Sequence, residues 1–421
     1  MRRFAELPPL VRYLVIAIVL FVAVCILRWV DKADEPEVEL HVHARYPIAQ
    51  RLFTHPSTQR LAGWYRLDVP SSRVESELAR LAADPNVDDA FIAPVLALPS
   101  VSGDDSCPIT TPSFEQLQGY LGPAPEGIDV AAAWTRGVRG AGVWFADIEG
   151  GWNAGHEDLP GARIAHVHGT PMTGPGWREH GTAVLGEVVG VANGRGVTGI
   201  APDVERVVTS SIGNSEAADA IDAAAQALRP GDVLLVELQG YGPRGRFVPV
   251  EYWDEIFDAI AAATARGVVV IEAAGNGGED LDHKLYRGKF DRRRRDSGAI
   301  MVGAGGPPRP GFRDRERLDF SNYGRRVDVQ GWGRRVATLD YGDLQRCAGS
   351  DRHYTDEFSG TSSASPIVAG AAILLESYAH HALSPAQVRA ILANGSPQTG
   401  DLDEHIGPRP DLAKALRLVA P

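Results

Sequence analysis

The chain has 421 residues, of which 44% are hydrophobic and 23% are charged, as in ordinary globular proteins. Its formal net charge of −12 argues against a nucleic-acid-binding protein, because contacts with phosphates require a basic surface. The three cysteines are too few for a disulfide scaffold. Cys25 lies in an apolar stretch, so Cys107 and Cys347 are the candidates for a bridge, and pairing depends on a distance that sequence does not supply.

The first 30 residues predict a membrane segment. A basic flank at residues 1–12 precedes the uncharged run Tyr13–Leu27, and extending this run to Val30 gives a helix of about 27 Å at about 1.5 Å per residue. The hydrocarbon core of a bilayer is about 30 Å thick. Basic residues precede the apolar run and acidic residues follow it, so the positive-inside rule places residues 1–12 in the cytoplasm and the residues after Val30 outside. We expect an uncleaved single-pass signal-anchor at residues 13–30, with a cleaved signal peptide and a secreted form as the alternative.

Residues 36–100 have the pattern of a small α/β unit. Alternating apolar residues predict a strand over Ala62–Val69, and apolar residues at helical spacing predict a helix over Ser72–Ala83. After a turn signal, Val87–Leu98 predicts a returning strand. The following stretch, residues 101–127, is rich in Ser, Asp, Pro and Gly and predicts a linker.

From residue 128 to residue 421, short apolar runs alternate with Ala-rich helical segments. Strands are predicted at Gly142–Ala146, Arg206–Ser210, Asp232–Leu238 and Gly267–Ala273, and helices at Ala217–Leu228 and Tyr252–Arg266. This alternation predicts the α/β class, with a mostly parallel, doubly wound sheet and helices on both faces. In such sheets functional groups lie at the carboxyl ends of the strands.

Two candidate catalytic residues follow from this placement. Asp147 comes directly after the run Gly142–Ala146 and is therefore predicted at the carboxyl end of a strand. His180 begins the segment His-Gly-Thr-Ala-Val-Leu-Gly, whose small residues favour a closely packed helix start. Taken singly, an aspartate at such a position is more often a loop cap or a metal ligand than a catalytic residue, and the histidine is explained equally well by helix capping or packing.

Two more polar residues lie at similar positions. Asn276 follows a predicted strand and stands between glycines, where its amide is available to donate to a developing negative charge. Ser362 precedes Pro366 and an apolar run, which predicts a helix N-terminus with exposed backbone N–H groups. The simpler interpretations are a turn for the asparagine and an N-cap for the serine.

Taken together, these segments resemble the motifs of the subtilisin-like serine proteases. Gly360–Pro366 is similar to the nucleophile motif, His180–Thr182 to the histidine motif and Ala274–Asn276 to the oxyanion segment, and Asp147 lies at the aspartate position. The order aspartate, histidine, asparagine, serine is that of the family and differs from the order in other triad enzymes. The resemblance extends from about Gln118 to the C-terminus.

The resemblance implies a subtilisin-like peptidase domain that hydrolyses peptide bonds through an acyl-enzyme intermediate. Ser362 would be the nucleophile, His180 the general base, Asp147 the residue that orients the base and Asn276 the oxyanion donor. The segment that resembles the substrate-cleft strand consists of Glu237, Leu238, Gln239 and Gly240.

The resemblance also bears on the attachments and ligands. Residues 36–100 resemble the propeptides of the family, which assist folding and inhibit the protease. A protein or peptide substrate is implied and no cofactor is required. Relatives often bind structural Ca²⁺, and Glu279–Asp282 is a candidate loop, although an acidic surface loop is the simpler interpretation. The basic cluster Arg292–Arg295 is most simply a solvated loop.

Three departures from the family pattern affect the site. The usual Asp-Ser/Thr-Gly is here Asp147-Ile148-Glu149-Gly150, and Ala183 replaces the usual second histidine. Glu237 replaces a serine, so it would either favour a basic substrate side chain or pair internally.

Two other functions stay open on the sequence. One is a membrane-tethered, non-catalytic binding protein on the same scaffold, against which the filled triad positions argue. The other is an acid-active relative that uses Glu149 as a carboxylate base. The intact motif at His180 and the asparagine, rather than aspartate, at position 276 argue against it.

Overall fold

The computed structural model describes residues 37–45, 50–53, 56–93, 110–347 and 349–419. These residues form two compact units, one of residues 37–50 with 65–93 and the other of residues 51–64 with 110–419. The predicted membrane segment, residues 13–30, lies outside the described residues. Among the residues that are described, no helix is both long and apolar enough to cross a membrane.

The smaller unit is a four-stranded sheet with one helix. Its elements are β1 (Glu37–Ala44), β2 (Gln50–Arg51), β3 (Trp64–Pro70), α1 (Val74–Ala82) and β4 (Val87–Ile92), and the strand order is β2-β3-β1-β4. Leu40 and Val42 of β1 pack with Leu81 of α1 in a small apolar core. The predicted strand–helix–strand pattern is therefore present as β3, α1 and β4, and β1 and β2 are additional strands that were not predicted from the sequence.

The larger unit is built on a seven-stranded sheet in which each strand pairs in parallel with its neighbours. In spatial order the strands are β13 (Val329–Trp332), β12 (Ile300–Gly305), β11 (Val269–Ala273), β8 (Val233–Val236), β5 (Trp144–Glu149), β7 (Arg206–Ser211) and β6 (Ile164–His168). Two short antiparallel pairs accompany it, β9 (Gln239–Tyr241) with β10 (Phe247–Pro249) and β14 (Val336–Leu339) with β15 (Tyr354–Phe358).

Helices cover both faces of this sheet. They are α2 (Ala131–Trp134), α3 (Pro175–Val189), α4 (Ala217–Ala227), α5 (Asp254–Ala265), α6 (Thr361–Ala379), α7 (Pro385–Leu392) and α8 (Leu412–Val419). Helices α3 and α6 pack against each other, as do α4 and α5. In β8, Val233 and Leu235 join the core beneath α3 and α6, whereas Leu234 and Val236 are equally buried but point the other way. The predicted parallel α/β sheet is confirmed.

Two segments outside the sheet belong to the larger unit. Within the predicted linker, residues 110–127 pack on the domain, and Tyr120 is fully buried in its core. Residues 51–64 bind the helices α4 and α5: the Ser57 backbone N–H donates to Asp222 Oδ2 at 2.8 Å, and Trp64 Nε1 donates to Asp258 Oδ2 at 3.2 Å. The larger unit therefore includes part of the segment that the sequence analysis assigned to the small α/β unit.

Candidate active site

The strand β5 delivers two carboxylates to one face of the sheet. It runs through Ile148 to Glu149, three residues beyond the predicted end at Ala146, and is paired on both sides, with β7 and β8. Because side chains alternate along a strand, Asp147 and Glu149 point to the same face as Phe145, which lies in the core beneath α3 and α6. Both carboxyls are fully buried.

His180 lies in α3 and contacts the second of these carboxylates. Its Nδ1 is 2.6 Å from Glu149 Oε1, a hydrogen bond between two fully buried side chains. The imidazole ring packs edge-on against Phe358, with 5.4 Å between ring centroids. Its other nitrogen, Nε2, has no hydrogen-bond partner within the described part of the chain. This leaves Nε2 available for a proton from a nucleophile.

The predicted contact between Asp147 and His180 is not present. Asp147 Oδ2 accepts a hydrogen bond from Trp152 Nε1 at 2.7 Å, and its Oδ1 has no partner among the described residues. The reason is that the strand continues to Glu149, so that this residue and not Asp147 stands at the carboxyl end of β5. The apolar Ile148 and the glycines after Glu149 are the sequence signals for that longer strand.

Ser362 lies in the first turn of α6. The helix begins at Thr361, directly after Gly360, whose φ of 108° is in a region that side chains other than glycine rarely adopt. Ser362 is therefore already helical, and Pro366 lies in the second turn of the helix and not in the first, where the sequence predicts it. Phe358, which packs on His180, is only four residues before Ser362. The fold thus brings the predicted nucleophile and base into the same region.

Asn276 lies beside this helix start. The side-chain Oδ1 of Asn276 accepts a hydrogen bond from the Thr361 backbone N–H at 2.8 Å. The backbone N–H of Asn276 donates to Gln239 Oε1 at 2.8 Å. A Cβ placed on Gly360 would be 3.2 Å from Asn276 Nδ2 and 3.5 Å from the Ser362 nitrogen. The side-chain amide of Asn276 and the backbone nitrogen of Ser362 therefore both lie close to Gly360.

The predicted cleft segment has two different kinds of residue. Glu237 and Leu238 are buried; a hydrogen bond joins Glu237 Oε1 to Ser365 Oγ on α6. Gln239 supports the Asn276 loop, and Gly240 packs against Trp253, where a Cβ would approach the indole to 2.3 Å. Of the two interpretations of Glu237, the structure favours internal pairing over contact with a substrate.

Burial dominates the protonation of the site. It raises the pKa of Asp147, Glu149 and Glu237 well above the ordinary range, and neighbouring carboxyls raise the pKa of Asp147 and Glu237 further. Burial lowers the pKa of His180 to about 3, so the imidazole is neutral in the resting site. The contacts described for these carboxyls include no arginine or lysine. A neutral imidazole is the state that a general base needs.

The charged loops and the cysteine have structural partners. Glu279 is buried and forms hydrogen bonds with Arg244 and Tyr286, and Asp282 forms an ion pair with Arg325. Both acids therefore have partners within the chain. The four arginines of the basic cluster also form hydrogen bonds within the chain, and Arg293 and Arg294 are exposed to solvent; their acceptors are Asp328, Asp291, the Arg287 carbonyl and Asp254. Cys347 is disulfide-bonded, and Cys25 and Cys107 lie outside the described residues.

Comparison with known proteins identifies the family. The subtilase family (Peptidase_S8) model matches residues 151–408, more than half of the chain. Subtilisin Savinase from Lederbergia lenta is 30% identical over 276 residues, 65% of this chain and 90% of that protein. An extracellular protease from Xanthomonas campestris pv. campestris is 27% identical over 379 residues, 78% of this chain. The chain spans 59% of that protein's length, and 64% of two matched alkaline proteases.

A solved structure shows the same fold. The epidermin leader peptide processing serine protease from Staphylococcus aureus aligns over 91% of this chain and 99% of its own, with a TM-score of 0.64 and 16% identity. At that identity the likeness concerns the fold alone. The family match and the Savinase relative lead to one conclusion. The chain belongs to the subtilase family of serine proteases.

Proposed function

We propose that the chain is a serine endopeptidase whose catalytic triad is Ser362, His180 and Glu149. The observation that carries this assignment is the 2.6 Å hydrogen bond between Glu149 Oε1 and His180 Nδ1. It replaces the Asp147 of the sequence analysis with a glutamate in the orienting role. A carboxylate in this position holds the imidazole in one tautomer and stabilises the imidazolium that forms during the reaction.

The proposed reaction is acyl transfer to Ser362. Nε2 of His180 takes the Ser362 proton as Oγ attacks the peptide carbonyl, and later returns it to the leaving amine. Asn276 Nδ2 and the N–H of Ser362 donate to the oxyanion, and the turn at Gly360 holds both close to the reacting carbonyl. Water then cleaves the acyl-enzyme by the same steps, and no cofactor takes part.

The substrate is proposed to be an extended peptide that lies along Gln239, Gly240 and Tyr241. Gln239 is tied to the Asn276 backbone, so this segment and the oxyanion site are positioned together. Tyr241 is 48% exposed at the end of β9. Because Glu237 faces the core, we do not assign it to substrate selection.

We further propose that the protease acts outside the cytoplasm, held by residues 13–30 of its N-terminus. The positive-inside pattern supports this orientation. The disulfide at Cys347 supports it too, because disulfides persist in oxidising compartments. Residues 36–100 are proposed as a propeptide-like unit. Within this stretch, residues 51–64 form hydrogen bonds with Asp222 and Asp258, which supports an association of this segment with the protease domain.

Fluorophosphonate labelling of fractionated cells tests the assignment. The wild-type membrane fraction should contain a labelled band and hydrolyse a peptide, and Ser362→Ala should lose both while it keeps its circular dichroism spectrum. Equal labelling of the variant would exclude Ser362 as the nucleophile. A labelled band found only in soluble fractions would instead reject the uncleaved anchor.

A further inference from the structure

The carboxyl of Glu237 is a buried group that the triad mechanism does not use. It belongs to the segment after β8, is 1% exposed, and faces α6 at Ser365, one turn beyond the nucleophile Ser362. Its second oxygen, Oε2, is buried without a hydrogen-bond partner among the described residues. A carboxylate so placed would be a buried, uncompensated negative charge beside the site where the oxyanion forms.

Counting protons at Ser365 shows which form of Glu237 its contacts favour. Ser365 Oγ lies 2.7 Å from the Thr361 carbonyl oxygen, and it also forms a hydrogen bond with Glu237 Oε1. The Thr361 carbonyl can only accept, so it takes the single hydroxyl proton of Ser365. A carboxylate at Glu237 would have to share that one proton with the carbonyl, whereas a neutral carboxylic acid that donates to Ser365 lets both bonds form in full.

Burial and the neighbouring acids favour the same neutral state. Burial raises the pKa of Glu237, Glu149 and Asp147 of β5 raise it further, and Glu237 in turn raises the pKa of Glu187 on α3. The hydroxyls of Ser365 and Ser362 on α6 act in the opposite direction and lower the pKa of Glu237, while His180 on α3 is kept neutral by burial. None of these neighbours is a cation that would compensate an ionised Glu237.

We propose that Glu237 is a positioning residue that must stay protonated: as a neutral acid it ties the first turn of α6, and with it Ser362, to the end of β8. This inference rests on the proposed role of Ser362. When Glu237 loses its proton, its donated hydrogen bond to Ser365 is lost and a negative charge appears beside the oxyanion site. Both changes act on the transition state more than on substrate binding, so kcat falls while KM is little affected.

The direction of the pH effect follows from the raised pKa. Below the ordinary pKa of a glutamate, Glu237 is fully protonated in the folded protein and its contribution to stability is fully present. Both this stability and the activity are lost as the pH rises through the raised pKa of Glu237 in the folded protein. The wild-type enzyme should therefore show a decline of kcat on the alkaline side that requires one deprotonation. Glutamine has the same shape, can donate to Ser365 through its amide and does not ionise.

The test compares kcat and KM against pH for the wild type, Glu237→Gln and Glu237→Ala. We expect Glu237→Ala to lower kcat about 100-fold, the scale of a small displacement of reacting groups, and Glu237→Gln to restore it to within about fivefold. One pH unit above the alkaline midpoint of the wild type, Glu237→Gln should exceed the wild type about tenfold in kcat, each relative to its own maximum. Infrared difference spectra should show loss of one protonated carboxyl band in Glu237→Gln.

The matched control is Glu376→Gln, which removes another buried carboxyl of the same helix. Burial raises the pKa of Glu376 to about 8, and it lies 14 positions after Ser362, about 21 Å along the helix. This variant should keep the wild-type alkaline midpoint. The inference is overturned if Glu237→Gln has the wild-type midpoint, if it is no better than alanine, or if Glu237→Gln changes KM alone. Absence of any Ser362-dependent hydrolysis in the wild type would instead reject the proposed function.

Discussion

The two faces of the large sheet bury acidic side chains in opposite ways. On the face covered by α3 and α6, Asp147, Glu149 and Glu237 lie together without an arginine or lysine in their described contacts. On the other face Glu272 of β11 accepts from the Glu251 backbone N–H, and Glu251 is bound by an arginine. One sheet therefore carries two buried acidic clusters, of which only the second includes a positive charge.

In the second cluster, Arg326 keeps Glu251 ionised. Arg326 is fully buried and contacts Glu251 with both ends of its guanidinium, at 2.6 and 2.8 Å, and Asp328 at 2.9 Å. Although burial raises the pKa of Glu251, the Arg326 charge outweighs it and leaves the pKa below its usual value. Glu251 and Arg326 are therefore an ionised structural pair, whereas burial raises the pKa of their neighbour Glu272.

The first cluster lacks that cation, and the difference indicates its use. Burial there raises the pKa of the acids and lowers the pKa of His180, so no permanent ion pair fixes the protons of this cluster. Such surroundings suit a general base such as His180, which must accept and return a proton in each catalytic cycle. We infer that an arginine stabilises the fold on one face, and that its absence leaves His180 able to change protonation on the other.

The largest expected effect concerns the two carboxylates of β5. Glu149→Gln should lower kcat about 10⁴-fold, because an amide at this position no longer stabilises the imidazolium or fixes its tautomer. Asp147→Asn is the matched control, since it replaces the neighbouring carboxyl and retains an oxygen for Trp152. It should stay within about tenfold of the wild type, in steady-state kinetics on one peptide substrate. A larger loss in Asp147→Asn than in Glu149→Gln would return the orienting role to Asp147.

A smaller effect is expected on the structural face, and it should appear in stability. Arg326→Met should reduce the free energy of unfolding by about 3–5 kcal/mol, because it leaves buried acids without their cation. Arg293→Met is the control: Arg293 is 77% exposed and pairs with Asp291 at the surface, so it should cost less than about 1 kcal/mol. Urea unfolding in the Ser362→Ala background avoids self-cleavage. Equal, small losses in both variants would contradict the contrast between the two faces.

The sequence predicts the class of the fold and three of the four residues of the proposed site. Alternating apolar runs and Ala-rich helices predict a parallel sheet because both faces of each strand must be covered. The proposed residues His180, Asn276 and Ser362 lie in motifs that glycines and helix starts mark locally in the sequence. The segments predicted as strands or helices lie within a few residues of observed elements, and other strands, such as β6 and β12, were not predicted.

The roles of the acidic residues could not be predicted in this way. Asp147 and Glu149 are two residues apart and therefore lie on the same face of β5. Which of them orients His180 depends on where β5 ends and on how far each carboxyl lies from α3. The face of the sheet to which the Glu237 side chain points depends on the alternation of side chains that continues from β8. Its hydrogen-bond partner Ser365 is 128 residues away in the chain. Such contacts arise from tertiary packing, which single-residue patterns do not contain.

The most direct test of the account is the proton on Nδ1 of His180. In protein labelled with ¹⁵N-histidine, with Ser362→Ala as host to prevent self-cleavage, a hydrogen bond to Glu149 at 2.6 Å should give a low-field imidazole resonance in the ¹H spectrum. We expect this resonance in the host and after Asp147→Asn, and its loss or a large upfield shift after Glu149→Gln. A resonance that survives Glu149→Gln and disappears with Asp147→Asn would contradict the proposed triad.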